Sequence, residues 1–178
     1  MITPPFFKKG DTIAIVAPPG TVDKKTLKLA NRLIKRWGFK TVSGPNLLNQ
    51  NNQFAGTDRE RADDMQQMLD DDKVKAILCA RGGYGTIRIL EYLDFSKFVQ
   101  HPKWIIGYSD ITVLHAYINE KLGIRTLHAS MPVDFPQNYK QNSTIEVMGE
   151  VLWGNILPFT MGKGNPELDG TDITASLT

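Results

Sequence analysis

The sequence predicts an α/β protein built on a doubly wound, mainly parallel sheet with helices on both faces. Three observations lead there. Short, continuously apolar runs at residues 12–17, 74–80 and 104–107 have the composition of parallel strands covered on both sides. Segments of helical periodicity separate one run from the next, and glycine- or proline-rich loops close the runs. Strands alternating with helices favour a parallel sheet, because each crossover helix returns the chain to the same edge.

The first strand, Thr12-Ile13-Ala14-Ile15-Val16-Ala17, follows the turn Lys9-Gly10-Asp11 and stops at Pro18-Pro19-Gly20. Leu27, Leu29, Ala30, Leu33, Ile34 and Trp37 then recur at helical spacing, with Gly38 as the stop signal. Residues 39–42 read as a strand, 58–69 as a charged amphipathic helix and 74–80 as a buried strand. The polar stretch 46–57 is too long for a tight turn and reads as a surface loop. A helix at 86–93, a strand at 104–107, a helix at 110–121, a short strand at 125–127 and a last helix at 144–153 complete the alternation. Beyond it, Gly162, Gly164, Pro166 and Gly170 punctuate a tail without helical periodicity. The expected organisation is an α/β domain over residues 1–161 and a linker or arm over 162–178, and no internal repeat is evident.

A chain of 178 residues is long enough for one sizeable core. Its 21 basic and 19 acidic residues leave a net charge of +2, without the clustered excess that attracts nucleic acid or an anionic membrane. Neither partner is expected. The sequence contains no apolar run of signal-peptide length and none near the ~18 residues of a membrane span. Cys79, the only cysteine, lies among Ala76, Ile77 and Leu78 and reads as a buried, reduced thiol. Together these features lead us to expect a cytoplasmic protein.

Ligands of open parallel sheets collect outside the carboxyl ends of the strands, so the loops after strands carry the functional expectation. Three have unusual composition: Ala17-Pro18-Pro19-Gly20-Thr21, Arg81-Gly82-Gly83-Tyr84-Gly85 and Tyr108-Ser109-Asp110. Ser109 falls where an apolar strand gives way to a helix, the location that exposes a hydroxyl in a nucleophile elbow, and Gly107 relieves crowding two residues earlier. The local pattern alone favours a plainer role, in which Ser109 caps the helix and Asp110 sits in its first turn. The second glycine of G-x-S-x-G is absent, since position 111 is Ile.

The glycine loop changes the balance. Gly82 and Gly83 let backbone N–H groups approach a bound group, as an oxyanion hole requires, and the amide after the nucleophile, that of Asp110, is the usual second donor. The loop matches neither G-x-G-x-x-G nor G-x-x-x-x-G-K-[ST], which weakens a phosphate-binding reading, and a purely structural turn stays open. Arg81 suits a substrate carboxylate or a structural ion pair. None of His101, His115 and His128 is an evident base for Ser109, and their spacing suggests no metal site.

Three ordered stretches nevertheless resemble the N-terminal part of the LD-carboxypeptidase family of serine peptidases, which includes microcin C7 self-immunity proteins. They are Lys9-Gly10-Asp11-Thr12-Ile13-Ala14-Ile15-Val16-Ala17-Pro18, Ala80-Arg81-Gly82-Gly83-Tyr84-Gly85 and Ile106-Gly107-Tyr108-Ser109-Asp110-Ile111-Thr112. The sequence departs from the family pattern at His128-Ala129-Ser130-Met131 and at Pro18-Pro19. The resemblance implies a flavodoxin-like or class I glutamine amidotransferase-like sheet, with Ser109 as nucleophile. It implies an oxyanion hole from the amides of Asp110 and Gly83, with Gly82 as the alternative donor, and places Arg81 and Tyr84 at the substrate. It further implies a Ser-Glu-His triad whose glutamate and histidine belong to a second, C-terminal domain, with no metal and no cofactor. The implied reaction removes the terminal D-alanine from murein tetrapeptides in cytoplasmic peptidoglycan recycling, by a homodimer, so that the 178 residues alone should be inactive. A microcin-immunity peptidase and a non-catalytic small-molecule-binding module are the alternatives.

Overall fold

The computed structural model describes residues 1–137 and 143–155. Five strands, β1 (Thr12–Val16), β2 (Lys40–Ser43), β3 (Val74–Cys79), β4 (Trp104–Gly107) and β5 (Leu127–His128), form one parallel sheet. Their order is β2-β1-β3-β4-β5. The chain turns one way from β1 to β2 and the other way from β1 to β3, which puts a topological switch point beside the loop after β1. The expected tail over 162–178 lies outside the described residues.

Alternation along the strands sorts the side chains into two cores. Ile13 and Ile15 of β1, Leu78 of β3 and Ile106 of β4 pack beneath α1 (Lys24–Arg36) and α6 (Ser143–Leu152), with Leu33, Ile34 and Met148 among the helix contributions. Ala14, Val16, Ile77, Cys79 and Ile105 face the opposite layer, where Met65, Met68, Phe98 and Leu114 come from the helices. That layer contains α2 (Asp58–Asp70), α3 (Thr86–Ile89), α4 (Ser96–Gln100) and α5 (Thr112–Leu122). Helices therefore cover both faces, and the central strands are apolar throughout because neither face meets water. Cys79 is fully buried, and desolvation pushes its thiol far above the ordinary range, leaving it protonated and unreactive.

Local differences from the sequence reading have physical causes. The helix expected over 86–93 is a four-residue α3 followed by a 310 turn, Leu90–Tyr92, and the short α4 was not foreseen. The helix expected from 110 begins as a 310 turn, Ser109–Ile111, before α5 starts at Thr112. The 46–57 stretch, read as a surface loop, folds back on the sheet: Leu47 and Ala55 are buried, and the Ala55 amide donates to Pro19 O at 3.2 Å. Two buried apolar residues in a polar stretch lack the periodicity that reveals a strand or helix.

Candidate active site

The loops after β1, β3 and β4 open on one edge of the sheet, as the parallel arrangement requires. Gly107 ends β4 and carries no side chain because there is no room for one: a Cβ there would stand 3.0 Å from Ile111 Cγ1. Tyr108 is extended, and Ser109 then adopts φ +61°, a left-handed conformation rare for a residue with a side chain. This corrects the capping alternative. The residue preceding α5 is Ile111, no side chain caps that helix, and among the described residues the Ser109 hydroxyl has no hydrogen-bond partner. A strained serine with an unused hydroxyl is the geometry of an elbow rather than of a cap.

The glycine loop lies directly against this serine. A Cβ on Gly82 would stand 3.0 Å from both Cβ and Oγ of Ser109, and 3.5 Å from Cε of the buried Met131. Gly82 is thus held to glycine by the approach of Ser109, whereas Gly83 is held by its own φ of +135° and faces Pro19 and Gly20. Among the described residues the amides of Gly82, Gly83 and Asp110 donate no hydrogen bond. Free backbone donors in the loop that abuts the hydroxyl and on the residue after it are the raw material of an oxyanion hole.

The Asp110 carboxylate binds elsewhere. Its Oδ2 accepts the Thr86 amide at 2.9 Å, tying the β4 loop to the end of the glycine loop and supplying α3 with the acceptor that Gly85 cannot. Arg81 turns toward the first loop, where Nη1 donates to Thr21 O at 3.1 Å while Nε is buried without a partner among the described residues. Tyr84 projects into solvent, 58% exposed, with its ring 6.4 Å from that of Phe54. Of Arg81 and Tyr84, Tyr84 is the exposed one.

The histidines divide as their positions in the fold dictate. His115 is buried on α5 and its Nε2 lies 2.9 Å from Gly107 O; desolvation holds the imidazole below its ordinary value. His128, opposite Gly107 in the register of β5, lies at the edge where these loops gather, its ring tilted 58° to that of Tyr108 with centroids 5.9 Å apart. His101 follows α4 before β4 begins, at the opposite edge. Among the described residues none hydrogen-bonds to Ser109, and no group of three or more His, Cys, Asp or Glu side chains is placed to hold a metal ion.

Sequence reasoning missed Arg61. It is 2% exposed on α2, and its guanidinium donates to the carbonyls of Pro18 and Gly85 and to the Asp58 carboxylate. Desolvation lowers its pKa, opposed chiefly by Asp58. Phe54 lies between two guanidinium groups, 5.1 Å from Arg61 and 5.0 Å from Arg88. The one signal in the sequence was a basic residue at position 61 between Ala62 and the helix start, on the face that also carries Met65, Met68 and Leu69.

Residues 13–129 match the family described as LD-carboxypeptidase N-terminal domain. A probable murein peptide carboxypeptidase of Bacillus subtilis is 44% identical over 128 residues, 72% of this chain and 40% of that protein. The microcin C7 self-immunity protein MccF of Escherichia coli is 34% identical over 122 residues, 67% of this chain and 36% of that protein. Among solved structures, an MccF-like protein from Bacillus anthracis superposes with a TM-score of 0.78 at 28% identity, covering 85% of this chain and 47% of that one. A muramoyltetrapeptide carboxypeptidase from Oxalobacter formigenes gives 0.67 at 28% identity, covering 79% and 47%. The chain spans less than half the length of these relatives.

Proposed function

The chain belongs to the LD-carboxypeptidase family, and we propose that it is the nucleophile-bearing N-terminal domain of a serine LD-carboxypeptidase that removes the terminal D-alanine from murein tetrapeptides. The observation that carries this reading is Ser109, strained to φ +61°, whose hydroxyl lies against Gly82 and, like the amides of Gly82, Gly83 and Asp110, has no partner among the described residues. In the proposed reaction Ser109 Oγ attacks the carbonyl of the residue before D-alanine and gives up its proton to a base. The oxyanion that forms accepts hydrogen bonds from the Asp110 amide and from that of Gly83 or Gly82, which it needs more than the ground-state carbonyl does. The C–N bond then breaks, D-alanine leaves as the amine after receiving the proton, and water releases the acyl group from Ser109.

The base and its orienting carboxylate are proposed to come from outside these 178 residues, as a second domain supplying the glutamate and histidine of the triad. Arg81 and Tyr84 are proposed to contact the peptide, the reaction to be part of cytoplasmic peptidoglycan recycling, and the complete protein to be a homodimer. The murein substrate is preferred over a peptidyl-nucleotide because the murein carboxypeptidase relative shares 44% identity and the microcin-immunity relative 34%. Supplying the complete protein with each substrate in parallel tests this. Release of D-alanine from the tetrapeptide with an acyl group trapped on Ser109 is expected, and the 178 residues alone should show neither. Turnover confined to the peptidyl-nucleotide would move the protein to the immunity branch. Ligand binding without turnover of either substrate would make it a binding module.

A further inference from the structure

Arg61 is a charged side chain buried to 2% exposure on α2. A guanidinium taken out of water costs several kcal/mol unless its donors are matched, and an apolar residue of similar volume often serves stability as well. Its terminal nitrogens reach the loops after β1 and β3: Nη1 donates to Pro18 O and to Gly85 O at 3.1 Å, and Nη2 to Asp58, which balances the charge, while Nε is buried without a partner among the described residues. Asp58 is itself gripped by Arg88 at 2.7 Å.

Gly85 admits this contact because it has no side chain; at φ +127° a Cβ would lie 2.9 Å from the Phe54 ring and 3.3 Å from Arg61 Nη1. One residue later the Thr86 amide is held by Asp110. The glycine loop is therefore fixed at its far end from two sides, by a cation on its carbonyl and a carboxylate on its amide. Arg61 and Asp110 also attract each other electrostatically, so the clamp is coupled to the serine loop.

We propose that Arg61 is a positioning residue: its guanidinium joins the loop after β1 to the loop after β3 and thereby sets where the Gly82 and Gly83 amides stand relative to Ser109 Oγ. The planar fork reaches two carbonyls and a carboxylate at once, which a lysine ammonium on a flexible stem does not reproduce. Arg61 is too buried to meet substrate, so its effect passes through the backbone it holds. The role rests on the reading of Ser109 as nucleophile, whereas the clamp itself does not.

Arg61→Met and Arg61→Lys in the complete protein test this beside the wild type and Ser109→Ala. The expected result is a kcat for D-alanine release lowered about 100-fold in Arg61→Met, as for an ångström-scale misplacement, with KM within about threefold and partial recovery in Arg61→Lys. Amide hydrogen exchange should quicken at Ala55, Thr86 and Arg88, whose N–H groups bond to Pro19 O, Asp110 Oδ2 and Gly85 O, and not in the strands. An unchanged kcat in both variants overturns the proposal, as does loosening throughout the sheet with kcat following the folded fraction. If Arg61→Met does not fold, Arg61→Lys decides by the same measurements. If the wild type releases no more D-alanine than Ser109→Ala, the nucleophile reading fails and exchange alone judges the clamp: loosening confined to those amides supports it, and unchanged exchange removes it.

Discussion

The two ends of β4 treat polar groups in opposite ways. At its start, Lys103 is 2% exposed, and its ammonium donates to Met68 O at 3.0 Å and Asp71 O at 2.7 Å, closing the C-terminal end of α2. Beside it the Trp104 indole donates to Pro5 O at 3.1 Å. At its finish, a few residues on, stands a strained serine whose hydroxyl and following Asp110 amide have no partner among the described residues. A lysine at a helix C-terminus answers orphan carbonyls and the helix dipole, which stabilises the fold. Strain and unanswered donors do not stabilise it, and they persist where the surrounding structure over-determines them and a ligand completes them.

Four substitutions test that contrast. Ser109→Ala in the complete protein should lower turnover of the tetrapeptide by about 10⁴-fold or more, with an unfolding midpoint close to wild type, since no hydrogen bond is lost. A large loss of stability would show that Ser109 is a structural residue like Lys103. Gly82→Ala places a methyl 3.0 Å from Ser109 Oγ and should cost about 100-fold in kcat while the sheet melts within about 1 kcal/mol of wild type.

Lys103→Met should do the reverse. It leaves the Met68 and Asp71 carbonyls unanswered and should lower stability by about 2 kcal/mol in urea titrations, with kcat unchanged. The smallest effect belongs to His115. Burial holds its folded-state imidazole below the ordinary value of 6.5, with the neighbouring His128 adding to the effect, so the unfolded chain takes up this proton first as pH falls. The contribution of neutral His115 is complete above about 6.5 and declines as pH drops toward its lower folded value. His115→Gln, which keeps a donor for Gly107 O, should flatten the stability profile below pH 6.5, read from chemical denaturation at several pH values.

The sheet was legible because each central strand meets apolar layers on both faces, and that condition writes an uninterrupted run into the sequence. Strand β5 was harder, since only two residues pair, and its expected span at 125–127 ended where the pairing begins. Helices α1 and α2 carry their period over 13 residues and were recognised, whereas the 86–100 region breaks into short pieces whose periodicity never completes two turns. Within the site, Ser109 and the glycines announced themselves through residue type and position after strands. Arg61 did not, because a buried arginine reads like any basic residue on an amphipathic helix until its partners are known.

Local composition and period were enough for the alternation of elements, the edge on which the loops gather and the candidate residues on that edge. That Ser109 is strained rather than a cap, that Gly82 and not its neighbour abuts the hydroxyl, and that Arg61 binds two loops came from the assembled fold. The last two are contacts between segments far apart in the chain, and the dihedral of Ser109 is held by such contacts around it, so close packing fixes them only when every segment is in place.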